Sequence, residues 1–156
     1  TVNVGKTAVY KLGESDWTLL GLEIQDGPVN KRNGTSVSLS RDGENLVVGS
    51  VLGGARVYNL RNNAWTVQGS QILPNIGGKS VSISGDKGLV AVGSEDEYGG
   101  RVYIFRYNQG WSNATETFDK VVTEQDTSLL GKYVVFDDSG ALLCLLTDTE
   151  VRIYGV

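Results

Sequence analysis

Residues 34–50 read GTSVSLSRDGENLVVGS, and residues 78–94 read GKSVSISGDKGLVAVGS. Each phrase is a pair of short runs folded around a turn. In the first run Val37 and Leu39 alternate with Ser36, Ser38 and Ser40, the period of two that a pleated strand imposes. In the second, Leu46, Val47 and Val48 follow one another, as in a strand covered on both faces. Asp42-Gly43 supplies the positive backbone angle of a tight hairpin turn between them. In the second phrase the glycine moves to Gly88, which predicts a turn differing by one residue.

A looser third copy follows as Gly131-Lys132-Tyr133-Val134-Val135-Phe136-Asp137, with Ser139-Gly140 at its turn and Leu143-Cys144-Leu145-Leu146-Thr147 as its second strand. A further strand recurs as Arg56-Val57-Tyr58, Arg101-Val102-Tyr103 and Arg152-Ile153-Tyr154, with Ala8-Val9-Tyr10 as an earlier relative. The last element is centred on tryptophan. Trp17-x-x-x-Gly21-x-x-Ile24 returns as Trp65-x-x-x-Gly69-x-x-Ile72 and decays to Trp111-x-x-x-Thr115-x-x-Phe118. The unit therefore has four strands, A to D, at a period of about 44 to 53 residues, in the range of propeller blades.

Four-stranded units at this spacing, with glycine-rich turns and one aromatic each, predict an all-β fold of antiparallel blades, a β-propeller segment. The phrase G-x-S-V-x-[LI]-S-x-D-G-x-x-[LV]-x-V-G-S, then G-x-[AR]-V-Y, then W-x-x-x-G-x-x-I, resembles the FG-GAP-related propeller repeats, the group that includes the blades of integrin α subunits. Calcium-binding blades of that group carry a D-x-D-x-D-G-x-x-D loop. Here Ser38, Ser40, Asp42, Gly43 and Leu46 stand at its signature places, and Val135, Asp137, Ser139, Gly140 and Leu143 in the third copy. Too few anionic oxygens remain for a hard cation, so neither metal nor cofactor is expected.

The strands parse as the end of one blade in residues 1–33, blades in 34–76 and 77–128, and an incomplete blade in 129–156. About three blades cannot close a ring that needs about four to eight. The chain is expected to be a partial propeller or half of an oligomeric ring, with bare sheet faces at its ends. A longer chain, a second copy or a different protein would cover them.

Composition narrows the partners. A net charge of −4 and a pI near 4.8 leave no basic stripe, so nucleic acid is not an expected partner. With no run of 18 apolar residues and no charged-then-apolar stretch at the N-terminus, neither a membrane span nor a signal peptide is expected. The single Cys144 forms no internal disulfide and leaves the compartment open. The chain contains no methionine, which points to processing or excision from a longer chain and tilts the expectation toward a secreted or organellar protein. Sequons at Asn33-Gly34-Thr35 and Asn113-Ala114-Thr115 are possible glycosylation sites on that route.

With no histidine in the chain, a histidine base and a Ser-His pair are excluded, and no carboxylate pair stands out by spacing, so no enzyme is expected. Cys144 aligns with Val47 and Ala91 and reads as a small core residue. Rim loops between blades are the natural binding surface of a rigid scaffold. Those loops carry Lys31 and Arg32 in residues 25–34 and Glu95, Asp96, Glu97 and Tyr98 in 94–100 as partner contacts, with a further loop at 122–131. Arg56, Arg101 and Arg152 recur with the unit and are expected to pair structurally, across neighbouring blades or with a carboxylate such as Asp42. Trp17, Trp65 and Trp111 are expected in core packing. Exposed instead, they would be stacking platforms for a glycan. The expected function is a non-catalytic protein-interaction or scaffold module, part of a larger propeller or an accessory subunit, with a lectin-like propeller as the alternative.

Overall fold

The structure is a computed structural model that describes residues 5–25, 33–73, 77–86, 88–94, 100–106, 131–147 and 150–156, together with the backbone of 118–122. Its regular elements are β-strands, arranged in four antiparallel sheets in chain order. The first sheet pairs β1 (Tyr10–Leu12) with β2 (Trp17–Leu19). The second runs β3 (Asn33–Leu39), β4 (Asn45–Ser50), β5 (Gly54–Arg61), β6 (Ala64–Val67). The third runs β7 (Ser80–Ile83), β8 (Leu89–Ser94), β9 (Arg101–Arg106), β10 (Phe118–Val122). The fourth holds β11 (Tyr133–Phe136), β12 (Leu142–Leu146) and β13 (Val151–Gly155). Among the described residues no helix is long and apolar enough to cross a membrane.

The repeated phrase makes the same hairpin each time. The N–H of Ser40 donates to Asn45 O at 2.9 Å, that of Ser84 to Leu89 O at 3.0 Å, and that of Asp137 to Leu142 O at 3.0 Å. All three turns close over the same five-residue step, which corrects the expected one-residue difference in the second copy. The Ser40 hydroxyl donates to Asp42 Oδ1 at 2.6 Å, and the same oxygen accepts from Glu44 N at 3.1 Å. Ser84 donates likewise to Asp86, which accepts from Gly88 N at 2.9 Å. Gly88 therefore stands where Glu44 does, and the turn is locked by Ser-x-Asp. Gly43 and Gly140 take the expected positive φ, +71° and +73°.

Apolar alternation stacks the sheets face to face. Val9 and Ile24, which flank the strands of the first sheet, meet Leu46, Val48 and Tyr58 of the second. On its other face, Val47, Ala55, Val57 and Ile72 meet Val81, Ile83, Val90, Val92, Tyr103 and Phe105 of the third. Ala91, Val102 and Ile104 then meet Val134, Phe136, Leu143 and Leu145 of the fourth, with Tyr154 packed alongside. β4 and β8, covered on both sides, are buried along their whole length.

The A strands lie beside one another, β7 against both β3 and β11, and the small serines of the repeat hold them there. Ser36 Oγ donates to Gly78 O at 3.3 Å, and Ser80 Oγ to Gly131 O at 2.7 Å. Ser38 Oγ accepts from Ile83 N at 3.1 Å, and Ser82 Oγ from Phe136 N at 2.9 Å. Opposite Ser36 in register is Gly49, and opposite Ser80 is Gly93. A Cβ on Gly49 would collide with Gly78 O and Ser36 Oγ, and one on Gly93 with Gly131 O and Ser80 Oγ. The repeated V-G-S therefore leaves the room that one sheet's backbone takes up against the next.

Candidate functional site

The two outermost sheet faces are where this stacking rule stops. On the fourth sheet, Tyr133, Val135, Leu142, Val151 and Ile153 are exposed and Cys144 is half-buried. Ile153 is 68% exposed, whereas its counterparts Val57 and Val102 are 1% and 0% exposed between sheets. Val135, Phe136, Asp137, Leu142, Cys144 and Ile153 line an apolar groove of about 250 Å³ on this face. At the other end Tyr10, Leu12, Trp17 and Leu19 are exposed on the first sheet, and Val37 and Leu39 on the adjoining β3.

The fourth sheet also differs in kind. Where the internal faces carry Ser36 and Ser80, it carries Tyr133. Val135 replaces Ser38 and Ser82, and Leu146, paired with Tyr133, replaces Gly49 and Gly93. The devices for close approach are all exchanged for larger apolar side chains. Comparing the third copy with the first two exposes this set in the sequence, yet none of these residues stands out when sought as a catalytic or metal-binding type.

The sequence-derived candidates fall elsewhere. Lys31, Arg32, Glu95, Asp96, Glu97, Tyr98, Trp111 and Asn113 lie outside the described residues. Asn33 is half-buried at the start of β3. Cys144 is not the core residue expected: it keeps the strand position of Val47 and Ala91, but its side of the sheet is open and it faces the groove. Trp65 packs between sheets as expected, half-buried, with Nε1 donating to Leu20 O at 2.9 Å. Trp17, its counterpart, is 66% exposed, because the face on which it would pack is uncovered.

Charged groups pair both within hairpins and between the turns of different sheets. Asp42 is engaged within its own hairpin. Arg56 Nη2 donates to Gln71 Oε1 at 3.4 Å, and Arg152 Nε to Glu150 Oε1 at 2.6 Å. Arg41, on the turn of the second sheet, pairs with Asp138 on the turn of the fourth, and the hydrogen bond and charge of Asp138 raise the guanidinium pKa. The Ser84 hydroxyl, then the Gly88 N–H, hold the Asp86 carboxyl below its ordinary value. The Ser139 hydroxyl and the Leu142 N–H do the same for Asp137. These turns border a second cavity of about 250 Å³, with Ser38, Ser82, Arg41 and Asp138 in its wall. Among the described residues no three His, Cys, Asp or Glu side chains gather around a common point as metal ligands would.

No protein-family model matches the chain, and no curated protein is significantly similar to it.

Proposed function

We propose that this chain is a non-catalytic protein-interaction module, a propeller-like array of FG-GAP-related blades that holds a protein against an uncovered sheet face. The carrying observation is the apolar outer face of the fourth sheet. Tyr133, Val135, Leu142, Val151 and Ile153 are 48–68% exposed there, with Cys144 half-buried among them, and full burial is worth about 1.5–3 kcal/mol per large apolar side chain. Covering the five would gain roughly 4–9 kcal/mol, comparable with a whole domain's stability. An apolar face of this kind, continuous over three strands, marks an interaction surface. The propeller reading is supported by four-stranded antiparallel units in chain order and by the side-by-side A strands.

The test is a photo-reactive phenylalanine analogue placed at position 153 and, as control, at exposed Thr66 on β6. Illumination in an extract of the source cells, with adducts identified by mass spectrometry, is expected to give a discrete polypeptide adduct from 153 and none from 66. Equal labelling from both positions, or none from 153, defeats the proposal.

One observation favours a glycan-binding reading, the exposed indole of Trp17. In that case sugars quench tryptophan fluorescence saturably, and Trp17→Ala abolishes the change.

A further inference from the structure

Inside the chain one joint is made three times. The tyrosine of each C strand joins the cluster that faces the sheet before it: Tyr58 shares one with Val9, Tyr103 one with Val57, and Tyr154 packs against the one that holds Val102. Among the described residues, the first and fourth sheets each carry half of this joint unmade. Tyr10 is 54% exposed on the first sheet, opposite Leu19, and Trp17 is exposed on the same sheet opposite Leu12. Ile153, last of the series Val9, Val57, Val102, is exposed on the fourth.

Resting on the protein-contact reading above, we propose that the partner is a second copy of this chain, docked head to tail. Tyr10 and Trp17 of one copy seat on Val135, Cys144 and Ile153 of the next. Three features converge on this occupant. The contact continues a joint already formed within the chain, with the same residue types on both sides. The groove, below the roughly 300 Å³ at which small-molecule pockets begin, is sized for a side chain rather than a cofactor.

The third feature is steric. A further full sheet could not approach the fourth as internal neighbours do. Leu146 occupies the place where Gly49 and Gly93 admit a backbone carbonyl, and Val135 offers no hydroxyl to an incoming N–H. The first sheet presents only the C-type β1 and the D-type β2 among the described residues. Those two strands alone leave the place beside β11 open, so Tyr133, Val135 and Leu146 have room to project. Because the two surfaces differ, the contact is heterologous, and successive joints either close a ring or run on as a filament.

Light scattering on the purified chain tests this. The wild-type mass is expected to rise with concentration above 16.8 kDa. Tyr10→Asp and Ile153→Asp alter exposed side chains, so both keep the wild-type circular dichroism spectrum. Each alone stays at the single-chain mass, since every joint needs one residue from each copy. Mixed in equal amounts, they form one intact joint and stop at twice 16.8 kDa. In the mixture, maleimide labelling of Cys144 slows in Tyr10→Asp, whose seat is filled, and not in Ile153→Asp.

A wild-type chain of constant single-chain mass overturns the inference, and so does a mixture that stays at that mass. Association of Tyr10→Asp on its own overturns it too, by showing a face that pairs with itself. The cross-linking from position 153 separates the two levels. An adduct with another polypeptide and a monomeric chain would sink the second copy and keep the protein-contact function, whereas no adduct and no association would remove both.

Discussion

Gly93 is the penultimate residue of β8, where a Cβ would press on Gly131 O of the neighbouring segment and on Ser80 Oγ. Replacing it with alanine forces the third and fourth sheets apart or breaks the Ser80–Gly131 bond, 2.7 Å long with Ser80 buried. Overfilling a tight contact costs about 1–3 kcal/mol, and a buried hydrogen bond left half-made about 1–3 kcal/mol. Because relief of one worsens the other, both are incurred and the sum is about 2–6 kcal/mol. At a urea dependence of about 2 kcal/mol per molar, Gly93→Ala lowers the unfolding midpoint by about 1–3 M, followed by far-ultraviolet circular dichroism. Gly49→Ala loses a similar amount for the same reason between the second and third sheets. Gly155→Ala is the control. Nothing lies within 4 Å of a Cβ built there, and the stability should stay within about 0.5 kcal/mol of wild type. If Gly93→Ala is as mild as Gly155→Ala, the sheets are not held by close backbone approach and the account of the V-G-S repeat is wrong.

Leu145 is fully buried between the third and fourth sheets while Leu142 on the same strand is about half exposed. Leu145→Ala is expected to cost about 2–5 kcal/mol and Leu142→Ala less than about 1 kcal/mol in urea unfolding; equal losses would contradict the assignment of inner and outer faces. The lowered Asp86 pKa stabilises the fold above the ordinary value of 3.8, and that contribution is lost as pH falls through the lower folded value. Ser84→Ala, which removes the largest cause of the shift, should flatten the acid limb of midpoint against pH; an unchanged limb would show that the lock does not act through Asp86. Trp65→Phe deletes the bond to Leu20 O and is expected to cost about 1 kcal/mol. Amide exchange should accelerate first in β1 and β2, and acceleration spread evenly over all sheets would count against Trp65 as the tie to the first sheet.

The strands and their order were legible because four side-chain patterns recur at one period, and recurrence survives the noise in any single copy. The hairpin turns were legible in Asp42-Gly43 and Ser139-Gly140, since positive φ restricts residue choice. The role of Ser36, Ser38, Ser80 and Ser82 was only half legible. Alternation placed them on the face opposite Val37 and Val81, but their partners sit 42 to 54 residues further along the sequence, on or beside the next sheet. Cys144 and Trp17 were misplaced for one reason: aligning them with Val47 and Trp65 assigns strand position, whereas burial depends on whether a sheet follows. The outer face was hidden because Tyr133, Val135 and Leu146 look like ordinary strand residues until set against the serines and glycines they replace.

The serines that bridge the sheets have a consequence for solubility. Ile83 N and Phe136 N belong to β7 and β11, edge strands of their sheets, where an N–H without a strand partner is a template for pairing with another molecule. Ser38 and Ser82 take those two protons from the side. Each sheet thus seals the margin of the next, and a chain assembled from short, exposed β-units guards against fibrous aggregation with a hydroxyl rather than with a charge or a proline.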